Sequence, residues 1–98
     1  MNNSSSFINV FVSTDKNNTL ALQYDNDICV GELIRNCCVN LGLQDFDTID
    51  GFTINIDVLI KIDDAYVRFN YQPHKNLKEI LVTFDIQAIN LLITPNNN

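Results

Sequence analysis

A change of hydrophobic period near residue 28 constrains this chain more than any other feature. Upstream of it, Ile8, Val10 and Val12 recur at every second residue. Leu20, Leu22 and Tyr24 do the same after the polar stretch Thr14-Asp15-Lys16-Asn17-Asn18. Period-two alternation on either side of a short polar turn predicts an antiparallel hairpin with one buried face. Downstream, the apolar positions become Val30, Leu33, Ile34, Cys37 and Leu41, the stripe of a single helix face. Gly42 follows as a natural C′ residue, so the helix is expected over about 29–41. Asp25, Asn26 and Asp27 offer capping groups just upstream.

Gln44 to Gly51 reads as an acidic loop, Phe52 to Asp57 as a strand and Val58 to Ile62 as a short second strand. Asp63-Asp64 is expected to cap a turn of helix through Tyr66 and Phe69. Leu77 to Ile86 alternates at Ile80, Val82, Phe84 and Ile86 and is expected to be a long strand. A last apolar run covers Ala88 to Ile93. The expected order is ββαββ, a short helix, then β. That is an α+β chain with a mixed sheet and one main helix packed across one face, the β-grasp arrangement. Three regions are expected: a disordered tail at 1–6, the domain at 7–86, and an extension at 87–98 that could add a strand.

Composition narrows the function classes. A chain of 98 residues has room for one core. With 46% apolar and 18% charged residues it reads as globular, not disordered. No run approaches the ~20 apolar residues of a membrane-spanning helix. The net charge of −6 leaves too few cations for a basic face on duplex nucleic acid. The start has neither a basic nor an apolar region of a secretory signal. The three cysteines, Cys29, Cys37 and Cys38, form neither a disulfide framework nor a zinc set, and His74 is the only histidine. They are expected to be free thiols in a cytoplasmic setting.

Nothing in the sequence assembles a catalytic constellation. His74 lies in a Pro-His-Lys loop, far along the chain from every cysteine. The acidic stretch from Asp45 lacks calcium-loop spacing, because its fifth position is Ile49 and its twelfth is Ile56. No enzymatic activity, no metal and no cofactor are expected.

Val10-Phe11-Val12-Ser13-Thr14 resembles the opening strand of ubiquitin, and the second strand and helix fall in step with it. The stretch Cys29-Val30-Gly31-Glu32-Leu33-Ile34, ending in Leu41-Gly42-Leu43, is similar to the helix of two subgroups. These are the Ras-association domains and the F0 and F1 lobes of talin-like FERM proteins. Cys29 stands where those carry a threonine cap, which leaves capping to Asp27 or to water.

The resemblance implies a protein-interaction domain of a larger signalling or cytoskeletal protein. Its implied partner is a Ras-family small GTPase, met by pairing the second strand with the partner's sheet edge. By position, the implied contacts are Lys16, Asn18, Thr19, Ala21, Gln23 and Arg35, with Lys16 and Arg35 as the cations. Any membrane contact is expected to be indirect. The alternative is a structural module for intramolecular packing or self-association, suggested by the run 88–93. A ubiquitin-type modifier is not expected, because the sequence ends Thr-Pro-Asn-Asn-Asn without a Gly-Gly pair. The outward sheet positions expected from these strand assignments, Thr53, Asn55 and Asp57 on one strand and Leu81, Thr83 and Asp85 on another, also offer only Leu81 as an apolar contact.

Overall fold

The computed structural model describes residues 7–14 and 19–96. Its first two strands are β1 (Phe7–Ser13) and β2 (Thr19–Asp25), paired antiparallel with Val10 opposite Leu22. The helix α1 (Val30–Asn40) follows. Then come β3 (Asp47–Ile49), β4 (Phe52–Ile54), β5 (Ile56–Ile62), β6 (Ala65–Arg68), α2 (Leu77–Phe84) and β7 (Ile89–Pro95). Five strands form one mixed sheet in the order β2-β1-β7-β5-β6. β1 and β7 run parallel, and every other pair is antiparallel. β3 and β4 form a separate two-stranded hairpin.

The period-two and helical stripes meet as the sequence requires. Val10 and Val12 are fully buried from β1, and Val30, Leu33, Ile34, Cys37 and Cys38 cover them from α1. Ile8, Leu20, Leu22 and Tyr24 pack around this centre, half-buried. Ile60 supplies the β5 part, and Ile89, Leu91 and Ile93 supply the β7 part. A core of this kind stabilises through apolar area removed from water, at roughly 25 cal/mol per Å².

Apart from the added β3–β4 hairpin the expected order of elements is present, but its last members sit elsewhere in the sequence. The short helix is α2, not residues 63–69, and the last strand is β7, not Leu77 to Ile86. Two patterns compete over 77–86. Period two favours Ile80, Val82, Phe84 and Ile86, whereas a helix needs Leu77, Ile80, Leu81 and Phe84. The helix prevails. Leu77 and Ile80 are buried while Val82 is 74% exposed. Asn76 forms a capping box with Glu79, its side chain accepting from the Glu79 N–H at 3.0 Å. The Asn76 N–H donates in return to the Glu79 carboxylate, also at 3.0 Å. Asn76→Ala is expected to cost about 1 kcal/mol, read from the shift of a urea unfolding midpoint.

Other expectations change with it. Asp63 and Asp64 both have positive φ, 52° and 67°, so they make the tight turn of the β5–β6 hairpin. The expected strand 52–57 is broken at Asn55, with φ 69°, and its second half is the start of β5. The acidic loop holds β3 and turns at Asp50 and Gly51. The run 88–93, expected to extend a domain of residues 7–86, lies at the middle of the sheet as β7.

α1 starts at Cys29 without any side-chain cap, so Asp27 does not take the role expected of it. Backbone carbonyls replace it. The Val30 N–H donates to Lys75 O at 2.7 Å and the Gly31 N–H to Pro73 O at 3.0 Å. Leu77 N–H and Lys78 N–H return the bonds to Ile28 O and Asn26 O at 2.9 and 3.0 Å. The two helix starts thus satisfy each other's orphan groups. The C-terminus is as the sequence predicts: Gly42 has φ 79°, and Leu43 N–H reaches Cys38 O at 3.1 Å, a Schellman closure.

Burial pushes the Cys37 thiol up from 9.0 to about 12, with the Cys38 charge adding to the rise. Cys38 rises to about 11 by burial. Both therefore stay protonated in the folded chain while the unfolded chain ionises near pH 9. Above that pH the unfolded state releases protons that the folded state keeps. Stability is thus full below about pH 9 and falls as pH rises towards 12. We expect the urea midpoint to drop over that range, and a Cys37→Val variant to flatten the drop. A thiol reagent at neutral pH should label Cys29, which is exposed, and spare the buried pair until urea is added.

Candidate interaction surfaces

Sheet order and side-chain alternation together define the surfaces. β2 stands at one end of the sheet, with β1 as its one neighbour. Leu20, Leu22 and Tyr24 turn inward, and Thr19, Ala21, Gln23 and Asp25 are exposed. The outer backbone row of this strand faces away from β1, and an unpaired row is a template for another strand. Gln23 Nε2 donates to Asn9 Oδ1 across the hairpin at 3.0 Å. The Tyr24 hydroxyl donates to Asn36 Oδ1 at 2.7 Å and ties the edge strand to α1.

Three of the expected contact residues, Thr19, Ala21 and Gln23, therefore share one exposed stripe of the edge strand. Lys16 and Asn18 lie outside the described residues. Arg35 is exposed on α1, one turn after Gly31. Residues four apart share a helix flank, and Gly31 faces Gly51 O and Pro73. Arg35 thus tilts towards the β3–β4 side, whereas the flank that meets β2 carries Asn36.

The outer face of the sheet also differs from expectation. Leu81, Thr83 and Asp85 belong to α2 or its cap, not to a strand, and Thr53 is buried. Leu59 and Leu92 are register partners at the sheet centre, on the face away from α1, and both are half-buried. Phe7, 58% exposed, shares that face with Phe11. Phe11 lies beside Asn90 of β7, so β7 flanks the outward aromatics without covering them. The outward placement of Phe7 and Phe11 follows from the alternation of β1 alone, whereas the Leu59–Leu92 pair is not legible without β7 in place.

Among the described residues, no group of three or more His, Cys, Asp or Glu side chains is placed to hold a metal. No helix among the described residues is long and apolar enough to cross a membrane.

No family model matches the sequence, and no curated protein matches it. Solved structures do. The N-terminal ubiquitin-like domain of tubulin-binding cofactor B from Drosophila melanogaster superposes with a TM-score of 0.61 at 18% identity, covering 94% of this chain and 87% of that one. A structure described as molecular mimicry of SUMO that promotes DNA repair superposes at 0.52 and 11% identity, covering 93% and 95%. At such identities the likeness speaks for the backbone. The strand order, the single long helix across one face and these superpositions agree: the chain has the ubiquitin-like β-grasp fold.

Proposed function

We propose that the chain is a non-enzymatic protein-interaction module that recruits its partner along the open edge of β2. The observation that carries this reading is the edge itself. β2 is seven residues long, stands at the end of the sheet, and presents Thr19, Ala21 and Gln23, which are small or uncharged. Such a stripe lets a second strand approach, and main-chain hydrogen bonds supply the affinity.

The resemblance of the α1 sequence to Ras-association and FERM lobes makes a Ras-family GTPase the first partner class to test. Lys16 would meet an acidic group on it. The net charge of −6 opposes long-range attraction to an acidic surface, so association with such a partner is slow and strengthens as salt is added. A reducing, cytoplasmic setting fits three unpaired cysteines, two of them buried as thiols. The alternative of a purely structural module rested on the run 88–93, and that run is taken up within the sheet as β7.

The test is a titration of isotope-labelled chain with GTP-loaded and GDP-loaded Ras-family proteins. Shifts confined to Lys16–Asp25, with the GTP form alone, are the expected result. Absence of any shift rejects the GTPase as partner. Shifts elsewhere on the domain reject the β2 edge.

A further inference from the structure

β6 is shorter than β5, and the difference leaves a second open row on the far side of the sheet. The alternation of hydrogen bonds along β5 identifies which groups face it. Asn96 N–H donates to Asn55 O at 2.9 Å, and Asp57 and Leu59 pair with Thr94 and Leu92 of β7. Residues 55, 57 and 59 therefore turn their backbone groups to β7. Ile56 and Val58 turn theirs the other way, towards β6. There the chain supplies one bond, from Phe69 N–H to Val58 O at 2.9 Å, and then leaves the sheet. Among the described residues the Val58 N–H and both groups of Ile56 have no backbone partner.

These free groups line a groove of about 460 Å³ bounded by residues 52–58 and 68–71. Phe52, 44% exposed, forms its rim and lies 5.7 Å from the Tyr71 ring, centroid to centroid. Its neighbour across the hairpin, Ile49, is 54% exposed. Thr53 also lines the groove. It is 7% exposed, and its hydroxyl has no hydrogen-bond partner among the described residues. A donor, an acceptor and a second donor in strand geometry, beside an exposed aromatic and an unsatisfied buried hydroxyl, fit one kind of occupant. Unpaired buried polar groups are otherwise costly.

We infer that the groove between β4, β5 and residues 69–71 accepts an extended, basic segment of a partner protein, which adds to Ile56–Val58 as a short strand and rests an apolar side chain on Phe52 and Tyr71. The basic character follows from the long-range field of the chain, −6 overall, since within the groove itself Asp57 is matched by Arg68. This site lies at the opposite end of the sheet from β2 and does not depend on the reading given to that edge.

The probe is a phage-displayed library of random twelve-residue peptides, selected on the immobilised 98-residue chain, with the best binder then synthesised. The expected binder is cationic and holds at least one large apolar residue. It should slow amide exchange of Ile56 and Val58 at least tenfold and leave Thr19–Asp25 unchanged. Methylating alternate peptide nitrogens of the binder should weaken it at least tenfold, since strand addition needs those N–H groups. Four outcomes overturn the inference: no enriched sequence, protection of Thr19–Asp25 instead, binding that tolerates methylation, or protection of Ile56 and Val58 that rises with chain concentration alone. The last would make the occupant a second copy of the chain.

Discussion

A chain that ends at Ile86 is expected to show no cooperative unfolding transition. The deletion removes β7, which lies between β1 and β5 and is hydrogen-bonded to both. It removes Ile89 at 0%, Leu91 at 1% and Ile93 at 0% exposure. Cutting one such side chain to alanine costs about 2–5 kcal/mol. Losing three, together with the ladder bonds on both sides, exceeds much of the roughly 5–15 kcal/mol that holds a domain folded. Circular dichroism during a urea titration reads the result. The single substitution Leu91→Ala is the graded control: it should keep a cooperative transition and lose about 2–5 kcal/mol. A truncated chain that melts like the full one would mean that residues 87–98 are an appendage.

Gly31→Ala is expected to destabilise the fold by about 1–3 kcal/mol, as overpacking does. Propensity alone predicts the opposite sign, because alanine in a helix interior is favoured over glycine by about 1 kcal/mol. Packing decides. A Cβ at Gly31 would lie 2.5 Å from Gly51 O and 2.7 Å from Pro73 Cβ. The first is a backbone atom of the β3–β4 turn, and the second belongs to the loop whose carbonyls cap α1. Neither can give without moving the cap or the hairpin. The thermal midpoint of the variant measures the net effect. A midpoint equal to or above that of the parent would show that the two loops yield.

These two positions also show how far the fold was legible. The β1–β2 hairpin and α1 were readable because each shows one period on one face, and Gly42 marks the stop. The need for Gly31, by contrast, carries no local signal, since the atoms that require it are 20 and 42 residues further on in the chain. α2 was misread because Leu77 to Ile86 satisfies both periods and is rich in β-branched residues. The deciding signal, Asn76 three residues before Glu79, was present in the sequence. β6 was missed because its turn uses Asp63-Asp64, where Asn-Gly is the stronger hairpin signal.

The surfaces were legible in part. The exposed stripe of β2 follows from alternation and from its place next to one strand. The open row at Ile56 and Val58 does not, because it exists only where β6 stops at Arg68 and the chain turns inward at Phe69. Free backbone groups carry no residue type, so no sequence pattern marks them.

Amide exchange on the unliganded chain tests the central claim, that this sheet offers backbone rows to other strands. The prediction is alternation within single strands. Every second amide of Thr19–Asp25 should exchange fast, and Ile56 and Val58 should exchange fast between slower Asp57 and Leu59 neighbours, while Leu91 and Ile93 in the sheet centre are slowest. Uniformly slow exchange along β2 and across residues 56–59 would contradict the account, since it would mean that both rows already have partners.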